Sequence, residues 1–361
     1  MTENTDARED DAKGGGAIAR PDGGSVSSPF EAVSQYEETR ADRLRKVYDA
    51  YVHAPIAIVW RDWRARFGFA VVVLYLLVGI AGPMVVAPTE PAEGPALAQP
   101  FQTMQYPLGT DDMGRDLLSQ TVYSTSTILK MVLSGAVSVV GIGTFVGAIA
   151  GYKGGWVDTV LSSITDVFIN IPGFPLVMVL GLLLPIGGNP YAVGLLLSVA
   201  AWGGLARAIR SQVLTLRQEE FVEAARAMDL PTRKIVFDEI VPHLLPYVVI
   251  NLTNAGRRVI FEAVALYYLG ILPFETSSLN WGVTLNYAYN ANAHLREAAL
   301  HWFLVPMIAI VGISVGLILL GQSLDRVFNP RVRARHEKTA AGGEADPEAD
   351  EPDTSDVMGG I

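Results

Sequence analysis

The chain has 361 residues, of which half are hydrophobic and 18% are charged, and its mean hydropathy is +0.31. The formal charge of −10 is concentrated at the two ends: residues 1–60 carry 11 acidic against 7 basic residues, and residues 336–361 carry 8 against 1. This composition disfavours a soluble enzyme, and also a nucleic-acid-binding protein, which would need a basic face. Because there is no cysteine, disulfides, thiolate metal sites and Cys nucleophiles are excluded.

The composition divides the chain into three parts. Residues 1–66 are predicted to be an acidic cytoplasmic tail with a pre-membrane segment, and their first thirty residues lack the apolar core of a signal peptide. Residues 67–330 are predicted to be the transmembrane domain. Residues 331–361 are predicted to be a disordered acidic cytoplasmic tail, because low hydrophobicity and like charge cannot offset the entropy of the chain.

Apolar stretches of the roughly 20 residues that a membrane-spanning helix needs recur along the middle part. They predict an all-α integral membrane protein with six spans, near 67–87, 128–151, 157–184, 191–209, 247–270 and 302–320. The third stretch contains Pro172, Pro175 and Pro185, so it is predicted to be kinked or partly re-entrant.

The distribution of basic residues predicts the orientation of the spans. Basic side chains crowd three regions: Arg61, Arg64 and Arg66 before span one; Arg210, Arg217, Arg226, Arg233 and Lys234 between spans four and five; and Arg326, Arg331, Arg333 and Arg335 after span six. The connections 88–127 and 271–301 hold one base each, Arg115 and Arg296. Both termini and the 210–246 connection are therefore expected in the cytoplasm, with the protein in the plasma membrane.

Small residues mark two places along the spans. Gly143, Gly147 and Gly151 form a ladder on span two that suits close helix packing. In the cytoplasmic connection, residues 218–246 predict a short helix, a break near Asp229, and a second helix that runs into span five. The alanines of EAARA favour helix and let another surface approach closely, although an ordinary amphipathic loop helix is an equally simple interpretation.

Several motifs resemble one known family. The segment EAARAMD…IVPHLLP is similar to the EAA loop of ABC importer permeases, in which this loop is a coupling helix that sits in a groove of a separate ATPase subunit. Residues 106–331 resemble the oligopeptide/dipeptide permeases over about two-thirds of the chain. The matching elements, in family order, are YPLGTDDMGRDLLS (106–119), AGYKGGWVD (150–158), RSQVLTLRQEEFVEAARA (210–227), Leu269-Gly270 and Trp281-Gly282.

This resemblance implies a six-helix permease of the type I ABC importer architecture, with its core at 106–330. It implies translocation of peptides or similar small solutes by alternating access. The implied partners are membrane lipid, a second permease subunit, two ATPase subunits that bind ATP and Mg, and an extracellular solute-binding protein. The residues that it assigns to ATPase coupling are Phe221, Glu223, Ala224, Ala225, Ala227, Asp229, Pro242 and Pro246.

The sequence departs from the family at two points. Asp229 replaces the usual loop glycine, and it is expected to adopt the left-handed conformation that ends a helix. Arg257 and Arg258 stand where small residues are usual, followed by Glu262. Arg258 and Glu262 can pair on one helix face. The charges either form a structural ion pair or line the translocation path and favour anionic groups; Asp166, which matches a family acid, is a further path candidate.

The cluster Asp111, Asp112, Arg115 and Asp116 is interpreted as a turn and helix cap, with contact to an external solute-binding protein as the alternative. No lysine follows a glycine, so this chain has no P-loop and no cofactor of its own is expected, nor any metal site or catalytic residue.

Two other classes remain open. Gly312-Ile-Ser-Val-Gly316 matches the pattern of a serine nucleophile, so an intramembrane serine protease using Ser314 with His243, His294 or His301 is the alternative, although the motif lies in an apolar helix rather than a strand–turn–helix elbow. A passive channel is the third possibility.

Overall fold

The structure is a computed structural model that describes residues 62–184, 186, 188–272 and 279–328. The predictions for residues 1–61 and 331–361, and those that rest on Arg61, Pro185 and the arginines after residue 328, lie outside the described residues. Within these limits the structure is helical and contains no strand, apart from one isolated bridge between Thr110 and Asp116.

Four helices are long and apolar enough to cross a membrane: α1 (Trp63–Val85), α2 (Leu117–Lys153), a helix over Thr232–Tyr268 and a helix over Leu300–Phe328. Two bent pairs lie between them: α3 (Gly155–Asn170) with α4 (Gly173–Leu183), and α5 (Pro190–Ser198) with α6 (Trp202–Leu216). With each pair counted as one span, the described helices supply the six spans that hydropathy predicts. The remaining helices follow in chain order as α7 (Glu220–Ala227), α8 (Thr232–Tyr268), α9 (Trp281–Asn290) and α10 (Leu300–Phe328).

The break in the third span lies where proline predicts it. The axes of α3 and α4 differ by 86°, and the helix stops at Ile171, whose backbone is extended (φ −71°, ψ 128°). A residue before proline avoids the helical region because the proline ring collides with it, so Pro172 forces this stop. A gentler bend of 54° separates α5 from α6.

Helix α2 is longer than hydropathy indicates. The apolar stretch begins near residue 128, but the helix begins at Leu117, because the Asp116 side chain accepts hydrogen bonds from the backbone amides of Leu118 and Ser119. Its 37 residues would extend about 55 Å, well beyond the roughly 30 Å of a hydrocarbon core. The helix is therefore longer than one membrane crossing needs.

The predicted glycine ladder packs α2 closely against α6. A Cβ built on Gly147 would lie 2.4 Å from the carbonyl oxygen of Ala206, and one on Gly151 would lie 2.9 Å from that of Arg210. Gly143 faces Leu205 in the same way, at 3.0 Å. Only residues without a side chain allow this approach, so the ladder is confirmed as a packing surface.

The connection between α1 and α2 packs onto α9 and α10. The His301 Nε2 atom lies 3.0 Å from the Thr110 carbonyl oxygen, and the Gln99 side chain donates to the Ala298 carbonyl oxygen at 2.6 Å. Beneath them a small apolar cluster is formed by Leu117, Ala288, Ala293, Ala299 and Trp302. These contacts fix the segment before α2 to the ends of the last two helices.

Candidate functional site

The segment that resembles a coupling helix folds as the sequence predicts, with α7 followed by a break and then by α8. Two residues of α7, Val222 and Ala225, are buried against Ile235, Val236 and Ile240 at the start of α8. Glu223, Ala224 and Ala227 are exposed. The alanines therefore serve two purposes: Ala225 packs inside this chain, whereas Ala224 and Ala227 leave a shallow outer surface.

The break after α7 is a helix-ending turn centred on Asp229. Its φ is 55°, the left-handed conformation that the sequence predicts at this position. The Leu230 amide donates to the Ala225 carbonyl oxygen and the Asp229 amide donates to that of Arg226, which is the hydrogen-bond pattern of a Schellman cap. Asp229 thus takes the backbone role that glycine usually has.

Two side-chain contacts attach α7 to the membrane helices, and Arg217, which lies just before α7, makes a third contact with α2. The Arg226 guanidinium lies 5.3 Å from the ring centroid of Tyr152, near the end of α2. The Arg217 side chain donates to the Gly151 carbonyl oxygen at 3.2 Å. The Phe221 ring stacks on His243 of α8 with centroids 4.5 Å apart. Sequence analysis gave Tyr152 no role and considered His243 only as a possible base for Ser314, because nothing in their local spacing indicates these partners.

The two prolines of the segment lie inside α8 rather than at a gap in it. Ile235–Ile240 adopts a π-helical turn immediately before Pro242, and Pro246 stands within the regular helix that follows. Proline removes one amide donor and crowds the carbonyl of the turn before it, and the wider turn accommodates both effects. The helix consequently continues from Thr232 to Tyr268 without interruption.

Charged side chains at membrane depth form ion pairs. Arg258 Nε lies 2.6 Å from Glu262 Oε1, which is the pairing that their spacing predicts. Arg257 is half-buried and has no hydrogen-bond or ion-pair partner among the described residues. Asp166 pairs with Arg207 at 2.5 Å, and Asp158 pairs with Arg210 at 2.5 Å, so both pairs join α3 to α6.

Arg207 is a residue that sequence analysis missed. It lies 41 residues from Asp166, so local spacing carries no sign of the contact. The one available signal was an arginine inside an otherwise apolar span, where an unpaired charge is costly.

The acidic segment directly before α2 forms the turn and helix cap that the sequence predicts. Asp111 is fully buried, and it accepts hydrogen bonds from Arg115 Nε at 2.6 Å and from the Gln120 side chain at 2.9 Å. Burial raises the pKa of Asp116, although two backbone amides that donate to it act in the opposite direction. Burial and the neighbouring charge of Asp111 likewise raise the pKa of Asp112. Of the three acids, Asp112 alone has an exposed side chain.

The geometry around Ser314 does not resemble a protease site. Ser314 lies within α10, and its hydroxyl donates to the Ile310 carbonyl oxygen at 2.6 Å. His301 precedes it by 13 residues on the same helix, about 20 Å along the axis. Within the described ranges, no group of three His, Asp or Glu side chains could hold a metal ion.

Comparison with known proteins shows that this chain is similar to membrane components of transport systems. Residues 143–334 match the family described as binding-protein-dependent transport system inner membrane component. The dipeptide transport system permease protein of Alkalihalophilus pseudofirmus is 27% identical over 271 residues, which cover 75% of this chain and 86% of that protein. The oligopeptide transport system permease protein of Bacillus subtilis is 26% identical over 285 residues, 76% of this chain and 90% of that protein. Its counterpart in Mycobacterium tuberculosis is 30% identical over 240 residues, 66% and 80% respectively.

Proposed function

The chain belongs to the family of binding-protein-dependent transport system inner membrane components, and from this we propose that it is the permease subunit of an ABC importer for dipeptides or oligopeptides. The peptide class rests on the names of the similar permeases. The observation that carries the coupling role is the construction of α7, a short helix anchored to its own chain on one face and bare on the other.

The contacts that anchor α7 to its own chain suit a helix that acts as a rigid lever. Val222 and Ala225 hold α7 in an apolar cluster with α8, and the stack of Phe221 on His243 adds a second contact with the same helix. The Arg226–Tyr152 contact joins α7 to the end of α2. A force on the exposed face of α7 is therefore transmitted to two membrane helices, α2 and α8, at once. A helix bundle that alternates between two states requires such a connection.

In this proposal the exposed face of α7, with Glu223, Ala224 and Ala227, sits in a groove of an ATPase subunit. That ATPase subunit binds ATP and Mg. Its closure moves α7 and changes the orientation of the spans, which produces alternating access. One permease chain offers one such lever, so the complete importer contains a second permease subunit, two ATPase subunits and an extracellular solute-binding protein. Both termini of this chain then lie in the cytoplasm.

The proposed path includes the membrane charges. Arg257, Arg258, Glu262 and Asp166 lie at a depth where charges face a bundle interior or a wet cavity. The Arg258–Glu262 pair is also well placed to serve only as a structural contact within α8. Arg257, with no partner among the described residues, is the better candidate to meet an anionic group of the solute.

A cross-linking experiment tests the coupling role. The chain has no cysteine of its own, so a single Ala227→Cys change introduces a unique thiol on the exposed face of α7. We expect this thiol to cross-link in native membranes to an ATPase-sized protein, with a yield that changes when ATP is added. Ala225→Cys is the matched control, because this neighbouring alanine is buried and should not react.

Two results would count against the proposal. The absence of an adduct from Ala227→Cys, with the protein folded in the membrane, would show that α7 docks elsewhere or that the chain is not an importer subunit. Uptake of solute by vesicles depleted of ATP would favour the passive channel instead.

A further inference from the structure

Two ion pairs connect α3 and α6 and lie beside a cavity. Asp158 accepts hydrogen bonds from both Nε and Nη2 of Arg210, whereas Asp166 accepts one bond from Nη2 of Arg207. The cavity has a volume of about 330 Å³ and lies between α2, α3 and α6. Its polar lining consists of Asp166, Arg207, Arg210, Ser162 and Thr165.

The Asp166–Arg207 pair is open on one side and lies well inside the lengths of its two helices. Asp166 lies 11 residues into α3 and Arg207 lies nine residues before the end of α6, about 17 and 14 Å along the helices. Both side chains are more than half exposed, at 55% and 56%. Charges at this depth are too costly to face lipid, so their open side faces the interior of the helix bundle or a water-filled cavity.

The face of α3 that lies opposite the cavity is apolar. Val160, Ile164 and Val167 are exposed at helical spacing and form an apolar stripe. Ser162 is two residues from Val160 and therefore points to nearly the opposite face of the helix. One face of α3 thus suits lipid or a partner helix, and the other lines the charged cavity.

Small residues create the space. Gly147 and Ala150 of α2 and Ala206 of α6 line the apolar wall of the cavity. The lining therefore combines one carboxylate, two guanidinium groups and two hydroxyls around a volume at the lower limit of ordinary ligand sites. Because Arg210 is already held by both oxygens of Asp158, Arg207 and Asp166 are the opposite charges available to a solute. A cavity of this kind suits a small solute that carries both charges.

We propose that this cavity is a solute site in the translocation path and that it takes the charged termini of a short peptide. Arg207 receives the carboxylate and Asp166 receives the ammonium group, while in the empty site the two side chains neutralise each other. The solute thus exchanges one ion pair for two. Since the termini are common to all peptides, the site accepts many side chains. This inference rests on the proposed function, because it assumes that the chain is a permease subunit.

The test uses a cysteine reporter in the assembled permease–ATPase complex, embedded in lipid nanodiscs so that both faces are accessible. Ser162→Cys changes one atom in the cavity lining and leaves Asp166 and Arg207 in place. We expect a charged, membrane-impermeant thiol reagent to label this reporter. Val160→Cys, at similar depth on the apolar face, is the matched control and should remain unlabelled.

Protection by solute then tests recognition of the termini. Diglycine is expected to slow labelling of the reporter, and its C-terminal amide should need a roughly tenfold higher concentration, because the contact with Arg207 loses its charge. Adding Arg207→Gln to the reporter should abolish this difference between the two compounds.

Three outcomes would overturn the inference: a reporter as unreactive as Val160→Cys, labelling that diglycine does not slow, or a preference for diglycine that survives Arg207→Gln. ATP-driven peptide uptake by the wild-type complex is measured separately. If uptake is intact and protection is absent, only this inference fails; if uptake is absent, the proposed function fails.

Discussion

Asp229 ends α7 with a positive φ of 55°, a conformation in which the Cβ of most residues is crowded by the following carbonyl. Asp and Asn tolerate it better than other non-glycine residues because their short polar side chains can bond locally. The departure from the family's glycine therefore preserves the turn. It also places a carboxylate beside the exposed face of α7, which any docking partner must accommodate.

Substitutions at Asp229 test whether its backbone is left-handed. The Val and Gly variants both lack the carboxylate, so their difference in stability reports on the backbone alone. Asp229→Val is expected to lower the stability of the protein by about 1–2 kcal/mol relative to Asp229→Gly, because a β-branched side chain is strained at positive φ. The measurement is the thermal unfolding of both variants in detergent. Equal stability of the two variants would contradict a left-handed backbone at this position.

Arg257 provides a second prediction at the scale of a single residue. Because it has no partner among the described residues, Arg257→Ala should reduce the preference of transport for acidic over basic peptides by about fivefold, on the order of 1 kcal/mol. Uptake of peptides of different charge by the reconstituted importer measures this preference. Arg258→Ala is the comparison, since it leaves Glu262 unpaired and should chiefly reduce stability. An unchanged preference in Arg257→Ala would remove Arg257 from the path.

At the scale of elements, the contact between α2 and α6 depends on the absence of side chains. The carbonyl oxygen of Ala206 belongs to the backbone and cannot rotate away from a new methyl group at Gly147. A side chain at Gly143 would first meet the Leu205 side chain, at 3.0 Å. One at Gly151 would meet Val213 and the Arg210 carbonyl oxygen at 2.8 and 2.9 Å, a less severe approach than that at Gly147. The helix pair is therefore most sensitive at the middle glycine.

Gly147→Ala should destabilise the protein by about 1–3 kcal/mol, the usual cost of overpacking. Gly141→Ala is the matched control, because the same change on the same helix meets no atom within 4 Å. Thermal unfolding in detergent measures both variants. A control that loses as much stability as Gly147→Ala would show that the close approach to α6 is not the cause.

At the scale of the whole molecule, six spans place the connections on alternating sides of the membrane. Met104 lies in the connection between spans one and two and is 99% exposed. Met228 lies between spans four and five and is 67% exposed. Since three spans separate the two connections, these side chains should lie on opposite sides of the bilayer.

Labelling of intact cells tests this topology. Met104→Cys should react with an impermeant thiol reagent from outside, whereas Met228→Cys should react only after the membrane is opened. The absence of native cysteine provides a clean background. Labelling of both variants in intact cells, or of Met228→Cys alone, would contradict the proposed orientation.

Local features of the chain could be predicted because their causes are local. The spans follow from apolar length, the bend of the third span from Pro172, and the turn at Asp229 from the end of a helix. The pairing of Arg258 with Glu262 follows from a spacing of four residues on one helix. In each case the interacting groups are neighbours along the chain, so their distance is set by helix geometry alone.

The remaining features depend on how distant helices pack. The sequence by itself determined the number of spans, the place of the short helix α7 with its turn at Asp229, and the ladder of glycines. Only the tertiary structure decided that Ala225 packs inward while Ala224 and Ala227 face outward, that Arg226 lies over Tyr152, and that Asp166 meets Arg207. Hydropathy records how much apolar surface each helix has, but the partner of a charged side chain is set by the rotation and crossing of helices that meet across the bundle.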